Sequence, residues 1–212
     1  MYFAIEGVIG VGKTTLARLL QPSFQANNLL EVFEENPFLS SFYSDRERYA
    51  FQTQLFFLLS RYQQQYRGVP ELLGTGKHLI SDYTFDKDAL FARINLSGDE
   101  LNMYYRVHAA LAEKIRLPDL VVYLRADSDT LMQRIALRDR PYERAMERSY
   151  INDLNRAYDE FFLGEEIKTP VLVLDSNKLD FVRNPDDLTF IENRIRQILQ
   201  LPPFQPELPM TD

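Results

Sequence analysis

The sequence predicts an α/β fold: a five-stranded parallel sheet flanked by helices on both faces. Three observations carry this. Short apolar runs alternate with longer amphipathic stretches along the chain. The run DLVVYLRA (119–126) is apolar without alternation, as in a strand covered on both faces. The first apolar run leads directly into a glycine-rich loop and then a helical pattern. The 212 residues, 45% hydrophobic and 26% charged, suit one well-buried domain rather than two. Neither repeat nor linker divides residues 1–200, and a proline-rich C-terminal tail is expected over 201–212.

The elements follow in order. YFAIE (2–6) reads as the first strand. TTLARLLQPSF reads as a helix stopped near Pro22, and LLEVF (29–33) as the second strand. Residues 45–67 form a long helix with Phe51, Leu55, Leu58, Leu59, Tyr62 and Tyr66 on one face. KHLISDY (77–83) is the third strand. Helices over about 85–96 and 99–116 are separated by Ser97-Gly98-Asp99. The fourth strand (119–126) precedes a helix at 128–138, an arginine-rich link and a helix around 147–163. TPVLVLD (169–175) is the fifth strand, 186–200 a last helix, and LPPFQPELPMTD an irregular end.

Composition excludes several classes. A net charge of −7 without a basic stripe argues against nucleic acid as a partner. With no cysteine, disulfides, thiol catalysis and cysteine-bound metals are ruled out. Only His78 and His108 could supply imidazole, which argues against a histidine zinc site. No apolar run approaches a membrane span and the N-terminus lacks a signal-peptide build, so a cytoplasmic location without membrane association is expected.

EGVIGVGKTT (6–15) contains Gly7-x4-Gly12-Lys13-Thr14 between a strand and a helix, which is the phosphate-loop pattern in its required context. Gly7, Gly10 and Gly12 let backbone N–H groups turn toward an anion, and the helix adds its positive end. Lys13 reaches the outer phosphates, Thr14 offers a hydroxyl to Mg²⁺, and Thr15 continues the cradle. The loop therefore predicts a bound nucleoside triphosphate. The guanine motif Asn-Lys-x-Asp is absent, which argues against a GTPase.

Further residues converge on the C-terminal strand ends, where open parallel sheets bind ligands. FEENPF (33–38) supplies Glu34 and Glu35: a general base for a substrate hydroxyl, or an acidic turn. Asp82 ends strand three and either helps hold Mg²⁺ or caps a helix. Gln54, Phe57 and Arg61 form a stripe beside the apolar face of the long helix, suited to a planar polar ligand or to a solvent boundary. Arg134 and Arg138 lie one turn apart with Arg140 just beyond, either neutralising a phosphoryl group in transit or pairing with Asp139, Glu143 and Glu147.

Together these segments resemble the deoxynucleoside kinase family, especially its bacterial deoxyadenosine/deoxyguanosine branch. The resemblance runs through the glycine loop, EENPF, FY (42–43), YAFQTQLFFLLSR, SDYTFDKDALFA, LMQRIALRDRPYE and PVLVLDSNKLDF, covering about residues 1–181. It implies a P-loop kinase fold with an arginine-rich lid over about 138–149, ATP as phosphate donor, Mg²⁺, and a homodimer paired through helices like those at 50–66 and 101–116. It casts Glu35 as the base toward the sugar 5′-hydroxyl, with Glu34 as the fallback. Tyr43 and Glu143 then hold the 3′-hydroxyl, while Gln54, Phe57, Arg61 and Asp88 line the base site. Arg134, Arg138 and Arg140 are the lid cations, and DSNKLDF, with Asp175, Asp180 and Phe181, borders the donor adenine. One departure stands out: where the family has Asp/Glu-Arg-Ser, this chain has Asp82-Tyr83-Thr84, leaving Lys87 or a lid arginine to compensate.

The implied reaction makes a deoxynucleoside monophosphate. Asp88 accepts hydrogen bonds and so favours an aminated base (adenine, guanine or cytosine) over thymine; the purine preference rests on the resemblance alone. Two other readings share the loop. A monophosphate kinase similar to thymidylate kinase would need to bind an acceptor phosphate, which Glu34 and Glu35 repel. A non-catalytic nucleotide-binding subunit would explain the missing arginine, yet Lys13, Thr14 and the lid arginines are all present.

Overall fold

A computed structural model describes residues 1–33, 35–164 and 167–204. Strands β1 (Tyr2–Glu6), β2 (Ala26–Leu29), β3 (His78–Ser81), β4 (Leu120–Arg125) and β5 (Val171–Asp175) form one sheet in the order β2-β3-β1-β4-β5. Every pairing is parallel. β1 is buried along its whole length, with neighbours whose crossovers leave in opposite directions. The loop after β1 therefore opens at the switch point where α/β sheets receive ligands.

The helices are α1 (Lys13–Leu20), α2 (Leu39–Ser44), α3 (Arg46–Gly74), α4 (Asp86–Asn95), α5 (Gly98–Ala112), α6 (Ser128–Arg138), α7 (Arg148–Phe162) and α8 (Pro185–Ile198), with a 3₁₀ turn at Pro141–Glu143. α1 starts at Gly12, which takes a left-handed φ of 108°, and buries Leu16, Ala17 and Leu20 before stopping ahead of Pro22. One continuous core joins the sheet to both helical layers, with Phe3, Ile5, Val122 and Leu124 packed against Leu16, Leu154, Tyr158 and Ile191.

β2 departs from the expected strand at 29–33: it occupies 26–29, paired Ala26↔His78 through Leu29↔Ser81. The polar pair Asn27-Asn28 obscured it. On a sheet edge these side chains find local partners, Asn27 Nδ2 donating to Leu72 O at 3.1 Å and Asn28 Nδ2 to Gln21 Oε1 at 3.1 Å. As a result Glu31 lies beyond the strand end.

α3 also differs. Its fully buried stripe is Ala50, Thr53, Gln54, Leu58, Arg61, Gln65 and Val69, whereas Leu59 and Tyr66 of the expected apolar face are 53% and 49% exposed. The helix turns a partly polar stripe inward because a cleft lies there. It also continues past 67, through Pro70, where Val69 closes a satellite core with Tyr2, Leu29 and Leu79. Of the expected tail, residues 201–204 carry no helix or strand, and Arg196 Nη1 donates to Pro202 O at 2.8 Å; 205–212 lie outside the described residues. Among the described residues no helix is long and apolar enough to cross a membrane.

Gly7 has a φ of 146°, and a Cβ there would meet Leu124 O at 2.4 Å and Val11 Cγ1 at 2.9 Å. Gly7→Ala is therefore expected to cost about 2 kcal/mol or more, read in a thermal melt as a fall of roughly 4–8 °C.

Candidate active site

The site is built from the loop after β1 outward. Gly7, Gly10 and Gly12 all have positive φ. A Cβ on Gly10 would press Ile135 Cγ1 at 2.9 Å, so α6 approaches the loop too closely for any side chain there. Lys13 Nζ donates to Gly7 O at 2.7 Å and Val8 O at 3.2 Å, folded back over its own loop. Burial, together with the ammonium of Lys87, pushes Lys13 down to about 8, against the pull of Glu6, Glu31 and Asp82.

Three adjoining clefts meet at this loop. The first, about 740 Å³ including its open mouth, is lined by Lys13, Thr14, Glu31, Phe33, Tyr43, Gln54, Phe57, Arg61, Asp82, Lys87, Arg138, Arg140 and Glu143, among others. The second shares Gly10, Lys13 and Thr14 with it and adds Gly12, Thr15, Arg18 and Arg134. The third shares Gly10, Gly12, Thr15 and Arg134 with the second and ends against Asn177, Asp180 and Phe181. The three clefts thus run in series from the first, past the glycine loop, to the loop after β5.

A buried ionic group forms the back wall of the first cleft. Glu31 Oε1 accepts from Arg61 Nε and Nη2, Glu31 Oε2 accepts from Lys87 Nζ, and Asp88 Oδ1 accepts from Arg61 Nη1. Burial alone would raise the Glu31 carboxyl, but Arg61 and Lys87 hold it well below the usual carboxylate range. Arg61 also lies 4.4 Å above the Phe57 ring. Two buried acceptors have no partner among the described residues, Asp88 Oδ2 and Gln54 Oε1.

Thr14 Oγ1 donates to Asp82 Oδ2, and Asp82 Oδ1 accepts from Glu31 N at 2.8 Å. Asp82 thereby ties the glycine-loop helix to the segment carrying Glu31. Tyr43 stacks on Tyr142 with centroids 5.9 Å apart. Glu143, 5% exposed, accepts from Arg138 Nη2 at 2.6 and 2.7 Å, and Arg140 Nη1 is 3.6 Å away.

Most of the site residues expected from the sequence come together here, with four differences. Glu35 is exposed and does not line the first cleft; Glu31 stands there instead, because β2 ends earlier than expected. Glu34 lies outside the described residues. Arg134 is turned inward: Nη1 donates to Val11 O at 3.1 Å and Ser176 Oγ at 2.7 Å, and Nη2 to Ser176 O at 2.8 Å. It staples the glycine loop to the turn after β5. Asp175 does not line the third cleft; it accepts from Asn177 N at 3.0 Å and lies 3.3 Å from Lys178 Nζ, shaping the turn. Tyr83, standing where the family has arginine, is fully buried with its hydroxyl donating to Gln64 Oε1. Lys87 is the cation on Glu31 instead.

A family profile described as deoxynucleoside kinase matches residues 3–200. The chain belongs to the deoxynucleoside kinase family. Within that family it is 34% identical over 201 residues to deoxyguanosine kinase of Bacillus subtilis, covering 93% of this chain and 97% of the relative. It is 33% identical over 192 residues to deoxyadenosine kinase of Dictyostelium discoideum, covering 88% and 76%. Among solved structures, deoxyadenosine kinase from M. mycoides with the products dCMP and a flexible dCDP superposes with a TM-score of 0.82 at 26% identity, over 93% of this chain and all of that one. The same enzyme with bound dATP gives 0.81 at 26%, over 92% of this chain. Deoxynucleoside kinases are phosphotransferases, and the parallel sheet with flanking helices is their P-loop kinase fold.

Glu31 went unnoticed in the sequence because it sits inside LLEVF, where strand alternation gives it a surface role. Ser176 had no signal at all, since only the fold brings it to Arg134.

Arg134→Ala removes three hydrogen bonds that join the glycine loop to the Ser176 turn. It is expected to lower stability by about 1–3 kcal/mol and to raise KM for ATP more than KM for the nucleoside, measured by denaturation and steady-state kinetics.

Proposed function

We propose that the protein transfers the γ-phosphoryl group of ATP to the 5′-hydroxyl of a deoxynucleoside, with purine deoxynucleosides favoured. The observation that carries this is the run of three clefts meeting at the glycine loop, with Lys13 and Thr14 shared by the first two and Gly10 by all three. It offers a site for an acceptor at one end, a cationic middle for phosphates and a site for the donor base at the other end. The names of the relatives, deoxyguanosine and deoxyadenosine kinases, support the purine preference.

The glycine loop and Lys13 hold the β- and γ-phosphates. Thr14 and Asp82 fit Mg²⁺: a hydroxyl and a carboxylate already adjacent, with no cluster of three His, Asp or Glu among the described residues to form a full protein cage. That is the donor set of an ion taking its other ligands from phosphate and water. Bound there, Mg²⁺ supplies positive charge to the phosphate oxygens. Arg138 and Arg140 line both the first and second clefts and act as lid cations on the group in transit.

Glu31 faces the acceptor hydroxyl and takes its proton. A carboxylate held ionised by Arg61 and Lys87 is a weak base, which suits a loose transition state in which the proton leaves late. Glu143 and Tyr43 hold the 3′-hydroxyl. The unpartnered Asp88 Oδ2 and Gln54 Oε1 call for donors, as supplied by an exocyclic amine. The anionic wall at Glu31 opposes an acceptor already carrying phosphate, so a monophosphate kinase fits less well. Asp180 and Phe181 border the donor adenine. Leu59, Tyr66 and Met103, exposed by 53%, 49% and 56% on α3 and α5, support pairing of two copies through those helices. A cytoplasmic location, where ATP is abundant, is part of this reading.

A panel of four deoxynucleosides with ATP and Mg²⁺ tests the reading. Thymidine should be poorest, by about 10⁴ in kcat/KM, and thymidine turnover equal to deoxyadenosine would end it. Glu31→Gln should lower kcat by about 10² to 10⁴, while Glu35→Gln stays within about threefold. Arg138→Ala should lower kcat by about 10³ or more. Its nucleoside Kd without ATP should hardly weaken, because Glu143 loses its intramolecular partner and is free to accept the 3′-hydroxyl.

A further inference from the structure

Glu6, the last residue of β1, is a carboxylate with 0% exposure directly beneath the glycine loop. It forms no ion pair among the described residues, although the charges of Lys87 and Lys13 act on it. Its oxygens accept instead from two separate elements. Oε2 takes the N–H of Gly7 at 3.2 Å, the first peptide of the loop. Oε1 takes both the N–H of Thr84 and its Oγ1–H, the latter at 3.0 Å.

Thr84 closes the turn Asp82-Tyr83-Thr84 that follows β3. Asp82 in that turn bonds Thr14 and the N–H of Glu31. Glu6 therefore fixes the start of the phosphate cradle to the turn from which the Thr14 and Glu31 contacts hang. Burying a carboxylate without a salt bridge is costly unless its lone pairs are filled, and here three donors fill them. A neutral acceptor cannot reproduce this. In Gln the Nε2 group is itself a donor and would face the Gly7 N–H, leaving two donors opposed in a dry site.

We propose that Glu6 is a positioning residue for phosphoryl transfer, setting the distance between the phosphate loop and the Asp82 turn through Gly7 and Thr84. It touches neither substrate. The proposal rests on the kinase reading above. Misplacement by a fraction of an ångström to an ångström at this joint displaces the γ-phosphate from the acceptor hydroxyl without emptying either binding site.

The test compares wild type, Glu6→Gln, Thr84→Val, Thr84→Ser and the Glu6→Gln/Thr84→Val double variant. Readouts are kcat, KM for ATP and nucleoside, nucleoside Kd by calorimetry, and melting temperature. Wild-type activity is established first, since an inactive wild type sinks the kinase reading and not the role of Glu6. Glu6→Gln is expected to lower kcat by roughly 10- to 100-fold with nucleoside Kd within about twofold. Thr84→Val should lose kcat in the same direction, Thr84→Ser should restore it, and the double variant should fall no further than Glu6→Gln, because the two act through one contact. A folded Glu6→Gln with kcat within about threefold of wild type would overturn the proposal, as would losses that multiply in the double variant. If Glu6→Gln fails to fold, Thr84→Val decides: wild-type kcat in that variant overturns the proposal, and a loss rescued by Thr84→Ser upholds it.

Discussion

The ion group of Glu31, Arg61, Lys87 and Asp88 constrains everything around it. Two acids and two bases sit behind the first cleft, with side chains at most 12% exposed. No member could be buried alone, since an uncompensated charge there costs several kcal/mol. The four members come from three segments: Glu31 from the stretch after β2, Arg61 from α3, Lys87 and Asp88 from α4. Neutralising these charges therefore fixes the mutual positions of all three. The polar stripe on α3 and the early exit of β2 both follow from this requirement.

The same wall shapes the chemistry. Its pairing leaves Asp88 Oδ2 and Gln54 Oε1 as buried acceptors without donors, a deficit that a ligand with amine hydrogens relieves. It also keeps Glu31 ionised, so the first cleft carries a fixed negative charge at its back. Tyr83 donates its hydroxyl to Gln64, while Lys87 and Arg61 are the cations on Glu31.

Around this rigid wall the phosphate side is held by hydrogen bonds that span the sheet. Arg134 and Ser176 tie the glycine loop to β5, Asp82 ties it to the Glu31 segment, and Glu6 ties it to Thr84. Arg138 and Glu143, by contrast, satisfy each other in a pair beside the clefts.

Local pattern was enough for the parallel sheet, the glycine loop and the stripe of Gln54, Phe57 and Arg61, because each is written in short-range spacing: a turn of helix, a strand run, a loop of fixed length; Tyr43 and Glu143 came from the family resemblance. Polar residues placed by distant partners were not legible. Asn27 and Asn28 lay outside the expected strand, and only an edge position gave them hydrogen bonds within it. Glu31 was not singled out inside the expected strand 29–33, and pairing with β3 ends that strand at Leu29. Arg134 read as a phosphate ligand until Ser176, far along the chain, accepted its hydrogen bonds. The sequence alone determined which chemical groups were available and that they serve a nucleotide. Only tertiary structure decided which carboxylate lines the first cleft, since a buried charge goes where its counter-charges are, and those lie on other segments of the chain.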